Sequence, residues 1–213
     1  MVLKLGMSKS IKIQIIDLKI NNIFSLFNSL RKIGYKNIEI INTSNQINCN
    51  LLFLPGVGSF YKASRLIKKN NFKDQITNFV KNKNNRLFGI CLGMQLLFEE
   101  STEFGKSKGL GLVKGKVVKF ASKLRVPHVG WAKVHKNQKN LQSFNLKKNG
   151  NFYFVHSYYC EPTDKKIIYT NTEYFNKIFC SSIKNENIFG TQFHPEKSGI
   201  NGLKVLESLK KLF

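Results

Sequence analysis

Several features are scarce in this 213-residue chain, and each scarcity argues against a class of protein. No apolar run reaches the roughly 18 residues that a membrane-spanning helix needs, so we expect no membrane association. Residues 1–10 lack the extended apolar core of a signal peptide. The four cysteines are irregularly spaced and form no CxxC pair, which argues against a zinc or redox site. This cysteine usage favours a reducing compartment, and we expect a cytoplasmic protein.

Acidic residues are also few: 12 Asp and Glu stand against 35 Lys and Arg, a net charge of +23. Such a charge invites a nucleic-acid hypothesis. However, the excess is lysine scattered among abundant Asn, Ile and Phe, and there is no arginine-rich arm or nucleic-acid-binding motif. We therefore expect no nucleic-acid partner. The bias resembles that of an AT-rich coding sequence, and a basic face for an acidic partner subunit or phosphorylated substrates is the alternative.

The first half of the chain alternates between strand and helix patterns. The predicted strands are Ile11–Asp17, Asn37–Ile41, Leu51–Leu54 and Arg86–Ile90, and the predicted helices are Asn22–Ile33, Tyr61–Lys83 with a break near Asn70, and one beginning at Met94–Phe98. Such alternation predicts parallel strands joined by right-handed crossovers.

After Gly105 the pattern changes to strands with short turns. They are Val113–Phe120, Ala132–His135, Phe152–Tyr158, Ile167–Thr170 and Ile178–Ile183, and Gly199–Phe213 closes the chain as a helix. We predict an α/β fold, with a mostly parallel sheet flanked by helices and an antiparallel extension. Residues 1–213 are expected to form one domain, with residues 1–10 as a disordered N-terminal extension.

A candidate nucleophile lies where the fourth predicted strand meets a helix. The segment Gly89–Gly93 (GICLG) is the cysteine version of a nucleophile elbow, a strained strand-to-helix turn. Glycines two residues to either side of Cys91 relieve crowding against the sheet and the helix. The helix N-terminus favours the thiolate, which is the attacking form. The alternative is a buried structural cysteine flanked by turn glycines.

A thiol nucleophile needs a base, and His194 is the best-placed histidine. Pro195 favours an extended conformation at His194, so His194 and Glu196 should project to one face. A carboxylate in that position orients the imidazole and stabilises its charged form. The alternative is a surface His and Glu beside a turn proline. His135, in a lysine-rich stretch, is expected to be a solvated surface residue.

Five motifs in order resemble those of the class I, or triad, glutamine amidotransferases. They are Leu54–Phe60 (LPGVGSF), Gly89–Gln95 (GICLGMQ), Pro127–Trp131 (PHVGW), Tyr153–Tyr159 (YFVHSYY) and Phe193–Ser198 (FHPEKS). The third and fourth resemble, more specifically, the glutaminase subunits of imidazole glycerol phosphate synthases. The likeness runs from about residue 12 to the C-terminus.

The resemblance implies that Cys91, His194 and Glu196 form the catalytic triad. It implies an oxyanion hole from backbone N–H groups around Val57 and Leu92, and glutamine-binding positions at Gly58, Gln95, Ser157 and Tyr158. No metal or organic cofactor is implied. Ammonia in this family passes to a (βα)₈-barrel cyclase subunit, so a heterodimer in histidine biosynthesis is expected.

One turn departs from the family pattern. Family members carry glycines after the first strand, where this chain has Lys19 and Asn21. Asn21 can adopt positive φ, but Lys19 is poorly suited to it. Since that turn lies near the partner-facing side in the family, the identity of the synthase stays open, and a function of a different class stays open as well. The first alternative is a paralogue that supplies ammonia to a surface-sugar amidotransferase, and the second is a catalytically inactive regulatory subunit.

Two histidines and the tryptophan of these motifs can each be interpreted in more than one way. His128 and His156 either contact a partner or are core histidines bonded to backbone in the strand extension. For Trp131 simple packing is the favoured interpretation.

Overall fold

The structure is a computed structural model that describes residues 11–20, 23–122, 124–137 and 149–213. The expected N-terminal extension and Asn21 lie outside these residues. Within the described ranges, no helix is long and apolar enough to cross a membrane.

The thirteen strands found among the described residues belong to a single sheet. The strands are β1 (Ile13–Ile16), β2 (Ile38–Ile41), β3 (Leu51–Gly56), β4 (Arg86–Cys91), β5 (Phe98–Ser101), β6 (Ser107–Lys108), β7 (Val113–Lys119), β8 (His128–Lys136), β9 (Asn149–His156), β10 (Tyr158–Pro162), β11 (Ile168–Tyr174), β12 (Lys177–Asn185) and β13 (Ile188–Thr191). The α-helices are α1 (Phe24–Lys32), α2 (Phe60–Lys69), α3 (Phe72–Lys81), α4 (Leu92–Leu96) and α5 (Gly199–Ser208).

The parallel part of the sheet has the strand order β2-β1-β3-β4-β13. Alternate residues of each strand face opposite sides, as the pleat requires. In β3, Leu52 and Leu54 pack with α2, α3 and α4, whereas Leu51 and Phe53 pack with α1 and α5. Helices therefore cover both faces, which explains why the strands are apolar at nearly every position. The predicted α/β fold is confirmed.

The antiparallel extension continues from β13 through β12, β10 and β7. A second branch runs from β12 to β11, then β8 and β9. The hairpin-like β8–β9 pair brings His128 opposite His156. The extension therefore delivers the Pro127–Trp131 and Tyr153–Tyr159 motifs to the same place.

Two predicted elements need correction. The helix expected to begin at Met94–Phe98 is only the five-residue α4, and the chain rejoins the sheet at the buried Phe98 in β5. The strand predicted as Phe152–Tyr158 is two strands, since β9 ends at His156 and β10 begins at Tyr158. The predicted helix break near Asn70 is confirmed, because Asn71 has φ 54° between α2 and α3.

The turn after β1 shows how a lysine replaces a glycine. Lys19 has φ 58°, although a lysine is poorly suited to positive φ. Asp17 holds this conformation: its carboxylate accepts the Lys19 amide N–H at 2.7 Å and pairs with the Lys19 ammonium at 2.9 Å. The local contacts thus offset the strain that the missing glycine would have avoided.

Candidate active site

Cys91 occupies a strained turn between β4 and α4. Its backbone has φ 53° and ψ −109°, in a region that L-residues rarely adopt. A Cβ on Gly93 would lie 1.6 Å from the Leu54 carbonyl oxygen, and one on Gly89 would lie 2.7 Å from the Met94 nitrogen. Both glycines are therefore required by the close approach of α4 to β3 and β4. The geometry is that of a nucleophile elbow.

The triad candidates lie at the carboxyl ends of adjacent parallel strands. Cys91 ends β4, and β13 ends at Thr191, three residues before His194. Carboxyl ends of parallel strands meet at one edge of the sheet, the usual position of a ligand site in open α/β folds. The parallel pairing of β13 with β4 thus brings the distant His194 segment beside the elbow.

His194 and Glu196 form a buried pair. Nδ1 of His194 lies 2.7 Å from Oε1 of Glu196, and their side chains are only 6% and 9% exposed. His194 has the extended conformation, φ −95° and ψ 97°, expected before Pro195. Because both side chains are buried and paired, a surface His and Glu beside a turn is excluded.

The charge on His194 is set by its neighbours. Burial of the ring opposes protonation, yet the negative charges of Cys91 and Glu196 raise the pKa of His194 well above its usual value. Nε2 of His194 has no hydrogen-bond partner among the described residues. The side chain can therefore hold a proton at Nε2 and deliver it to a reacting group.

A cavity of about 170 Å³ opens beside the thiol. It is lined by Gly58, Cys91, Leu92, Gln95, Glu103, Pro127, Val155, His156, Ser157 and Tyr158. All four positions that the resemblance assigns to glutamine lie on this wall, together with Cys91 and Leu92. The described residues contain no cluster of three or more His, Cys, Asp or Glu side chains that could hold a metal.

Val57 is placed differently from Leu92. It follows Gly56, the strand partner of Cys91, and is 38% exposed. It lines a second cavity of about 140 Å³ with His194 and Glu196, and Val155 lines both cavities. Val57 thus adjoins the triad on the histidine side, while Leu92 adjoins the cavity that Gln95 lines.

Sequence reasoning missed two polar side chains at the site. The Glu103 carboxylate lines the 170 Å³ cavity and accepts a hydrogen bond from the Phe60 amide, and burial raises the pKa of Glu103. No spacing rule singles it out. Gln192 is fully buried, with Nε2 3.6 Å from the Cys91 sulfur. The same-face rule that linked His194 to Glu196 could have found it, because Gln192 is two residues before His194.

The motif histidines are core residues. His156 Nδ1 lies 2.8 Å from the Tyr158 carbonyl oxygen, and its Nε2 lies 3.2 Å from His128 Nδ1. Both rings are buried, so the interpretation as backbone-bonded core histidines is confirmed for His156, with His128 bonded through it. His135 is exposed, as expected. The expectation for Trp131 was wrong: the residue is 59% exposed, and its ring makes an edge contact with Tyr153.

The other three thiols lie in apolar surroundings. Burial raises the pKa of Cys49 and of Cys180 to about 12, and raises that of Cys160 well above its usual value. All four cysteines are free of disulfides. Among the four, only Cys91 lines the 170 Å³ cavity.

Comparisons with known proteins agree with this geometry. The model of the family Glutamine amidotransferase class-I matches residues 14–208. Imidazole glycerol phosphate synthase subunit HisH 2 of Methanococcus maripaludis is 44% identical over 202 residues, 93% of this chain and 98% of the relative. Subunit HisH of the same synthase from Pyrococcus furiosus is 45% identical over 203 residues, 94% of this chain and 99% of the relative.

A solved structure, PurLQS from Thermotoga maritima, superposes with a TM-score of 0.75 at 16% identity, covering 94% of this chain and 97% of that one. At such low identity this match shows only that the two proteins share a fold. The family match covers most of the chain, and the two relatives are similar over nearly their whole lengths. The chain therefore belongs to the class-I glutamine amidotransferase family.

Proposed function

We propose that this chain is the glutaminase subunit of an imidazole glycerol phosphate synthase, which hydrolyses glutamine to glutamate and ammonia. The observation that carries the proposal is Cys91 on a strained elbow, open to a small polar cavity and accompanied by the buried His194–Glu196 pair. A catalytically inactive subunit would have no need to keep a carboxylate and an imidazole buried together at a thiol, since such burial is costly.

Glutamine fits the chemistry of the cavity wall. Glu103 is the one carboxylate among the described lining residues, and it suits the α-ammonium group of an amino acid. Gly58, Gln95, Ser157 and Tyr158 would hold the remainder of the substrate, which places its amide carbon at Cys91. Backbone N–H groups around Val57 and Leu92 would stabilise the oxyanion.

The reaction then proceeds in two halves. The Cys91 thiolate adds to the amide carbon, and the tetrahedral intermediate collapses as His194 Nε2 gives its proton to the departing nitrogen, releasing ammonia. The neutral imidazole next takes a proton from water, whose oxygen attacks the γ-glutamyl thioester. The carbon–sulfur bond breaks, glutamate leaves, and the thiolate–imidazolium pair is restored. Glu196 orients the ring and stabilises its charge throughout.

The ammonia would serve a partner subunit. The two relatives described above are subunits of imidazole glycerol phosphate synthase, and a (βα)₈-barrel cyclase in a heterodimer is the partner we propose. Such a subunit could bury the exposed apolar surface near the triad. This surface is formed by Val129, Trp131 and Val155. Four free cysteines accord with a cytoplasmic enzyme.

Replacing the nucleophile tests the proposal. In the complex with the cyclase, Cys91→Ala should abolish glutamine-dependent synthesis and leave synthesis from added ammonium salt intact, because only ammonia production uses the thiol. Product formation from each nitrogen source is the measurement. The matched control is Cys49→Ala, a half-buried thiol away from the cavities, which should keep both activities.

Three results would count against the proposal. Loss of both activities in Cys91→Ala would assign the thiol to folding or docking. Retention of both would remove it from catalysis. If the histidine-pathway cyclase fails to bind the unsubstituted chain while a surface-sugar synthase binds it, the glutaminase stands and its pathway is the sugar one.

A further inference from the structure

The Cys91 sulfur has two polar neighbours besides the triad. On one side the Val155 carbonyl oxygen lies 3.8 Å from Sγ, and on the other Nε2 of Gln192 lies 3.6 Å from it. Gln192 is fully buried immediately after β13, so its amide cannot exchange this contact for water. The two neighbours act on the sulfur in opposite ways. A carbonyl oxygen can accept only from the thiol, whereas an amide N–H can donate to the thiolate.

A backbone carbonyl fixes which end of the Gln192 amide faces the sulfur. Nε2 of Gln95 lies 2.9 Å from the Tyr158 carbonyl oxygen and 3.1 Å from Oε1 of Gln192. The carbonyl can only accept, so the nitrogen of Gln95 must face it. That nitrogen in turn requires the oxygen of Gln192, which leaves the Gln192 nitrogen for Cys91. Reversing Gln95 would place its oxygen against two other oxygens, and reversing Gln192 would place two amide nitrogens in contact.

From this chain of oriented amides we propose that Gln192 is a catalytic residue that donates a hydrogen bond to the Cys91 thiolate and thereby favours the attacking form. When the thiol ionises, the S–H bond breaks and its proton forms the N–H bond at His194 Nε2. Gln192 neither gains nor loses a proton. The proposed function supplies the reason that the thiolate is needed, and the inference rests on it to that extent.

Both hydrogens of the Gln95 amide are committed in this arrangement. One points to the Tyr158 carbonyl and the other to Gln192, so Gln95 has only its oxygen to offer to the cavity. Gln95 would therefore accept a hydrogen bond from bound glutamine rather than donate one. This division makes Gln95 the residue that orients Gln192 as well as one that lines the substrate cavity.

The test measures the thiol directly and needs no glutaminase turnover. Iodoacetamide alkylates thiolates, forming a thioether and releasing iodide, and the rate at the Cys91 peptide is followed by mass spectrometry from pH 5 to 9. In Gln192→Met the midpoint of alkylation should rise by about one pH unit, since a hydrogen bond to a charged group is lost. The kcat for glutamine should fall roughly tenfold with KM little changed.

A neighbouring substitution provides the matched control. Thr191 is also fully buried, but its hydroxyl donates to the Phe193 carbonyl at 3.0 Å instead of contacting the sulfur. Thr191→Val should lower thermal stability and leave the alkylation midpoint unchanged. Gln95→Met, which frees Gln192 to rotate, should raise the midpoint by less than Gln192→Met does.

If Gln192→Met does not fold, the unsubstituted chain still decides the question. Its Gln192 side-chain amide resonance in a ¹H–¹⁵N NMR spectrum should titrate with the alkylation midpoint of Cys91, and should not titrate in Cys91→Ser. A folded Gln192→Met with an unchanged midpoint, or a Gln192 resonance indifferent to ionisation of the thiol, would overturn the proposal. A shifted midpoint in a chain without glutaminase activity would overturn the proposed function alone.

Discussion

Two buried histidine sites lie in this molecule, and burial has opposite outcomes in them. His194, beside the parallel strands, contacts Glu196 and adjoins Cys91, and those negative charges raise its pKa well above the usual value. His128 and His156, in the antiparallel extension, have no negatively charged partner in the part of the chain that the structure describes. Burial lowers the pKa of His128 to about 4 and that of His156 to about 3. His194 thus stays charged despite its burial, and the pair of His128 and His156 is neutral.

The neighbours of each site explain the contrast. Aromatic side chains surround His128 and His156: Phe120, Phe154, Tyr174 and Phe179. The Tyr158 carbonyl that bonds His156 is a dipole, too weak to offset the loss of water around a cation. A carboxylate and a thiolate do offset it at His194. Burial alone therefore lowers the pKa of a histidine and leaves it neutral. A buried histidine keeps its proton at neutral pH only when negatively charged groups lie beside it.

Removing the charged histidine should give the largest effect. His194→Ala should reduce glutamine-dependent kcat by roughly 10³-fold or more, because both proton transfers lose their carrier. Ammonia release measured by a coupled assay gives the rate. The exposed His135 provides the control, and His135→Ala should retain full activity. A kcat within a few-fold of the unsubstituted chain would place the base elsewhere.

Removing only the charge beside that histidine should have a smaller effect. Glu196→Gln keeps the size of the side chain but not its charge, and kcat should fall roughly 10²-fold, with KM little changed. Because Glu196 raises the pKa of His194, its loss should move the alkaline limb of the pH–rate profile to lower pH. A profile that stays in place would show that Glu196 does not determine the charge of the ring.

The neutral pair of His128 and His156 should change the pH dependence of the free energy of unfolding. The folded-state pKa values of His128 and His156 lie below the unfolded value near 6.5, so the unfolded state takes up protons first as pH falls. Their stabilising contribution is present above about pH 6.5 and is lost towards pH 4, on the order of 3 kcal/mol for His156. Urea unfolding between pH 7 and 4.5 measures this loss.

The variant His128→Phe tests whether the buried histidine pair causes this loss of stability at low pH. His128→Phe replaces one imidazole by an aromatic ring in an aromatic environment, so the stability of this variant should depend less steeply on pH. The exposed His135→Ala variant should follow the unsubstituted curve. Equal slopes in His128→Phe and the unsubstituted chain would mean that the buried pair does not titrate as its surroundings require.

The same contrast separates what the sequence predicts from what it does not. Strand and helix periods are local in sequence, and together with the glycines two residues to either side of Cys91 they predicted the parallel sheet and the elbow. The short strand β13 escaped prediction because its four residues, all of them buried, are too few to show a distinctive period. No local pattern reveals Glu103, which bonds the distant Phe60. The same-face rule places Gln192 with His194, but its contact with Cys91 depends on the pairing of β13 with β4.

The packing prediction for Trp131 was wrong for a related reason. An aromatic residue among strand residues predicts packing, yet the β8–β9 pair leaves its ring on the open face. The sequence pattern predicts which side chains of a strand share a face of the sheet. It does not show which face other parts of the protein cover. For the same reason the buried environment that holds His128 and His156 neutral could only be left as one of two readings until the strand pairing placed the rings together.

Protonation at all the histidines can be read in one experiment, a ¹⁵N NMR spectrum of the imidazole nitrogens at pH 7. The account predicts an imidazolium at His194, with both nitrogens protonated. It predicts neutral rings at His128 and His156 with the proton on Nδ1, because His156 Nδ1 must donate to the Tyr158 carbonyl and its Nε2 must accept from His128. A neutral His194, or a charged ring at His128 or His156, would contradict it.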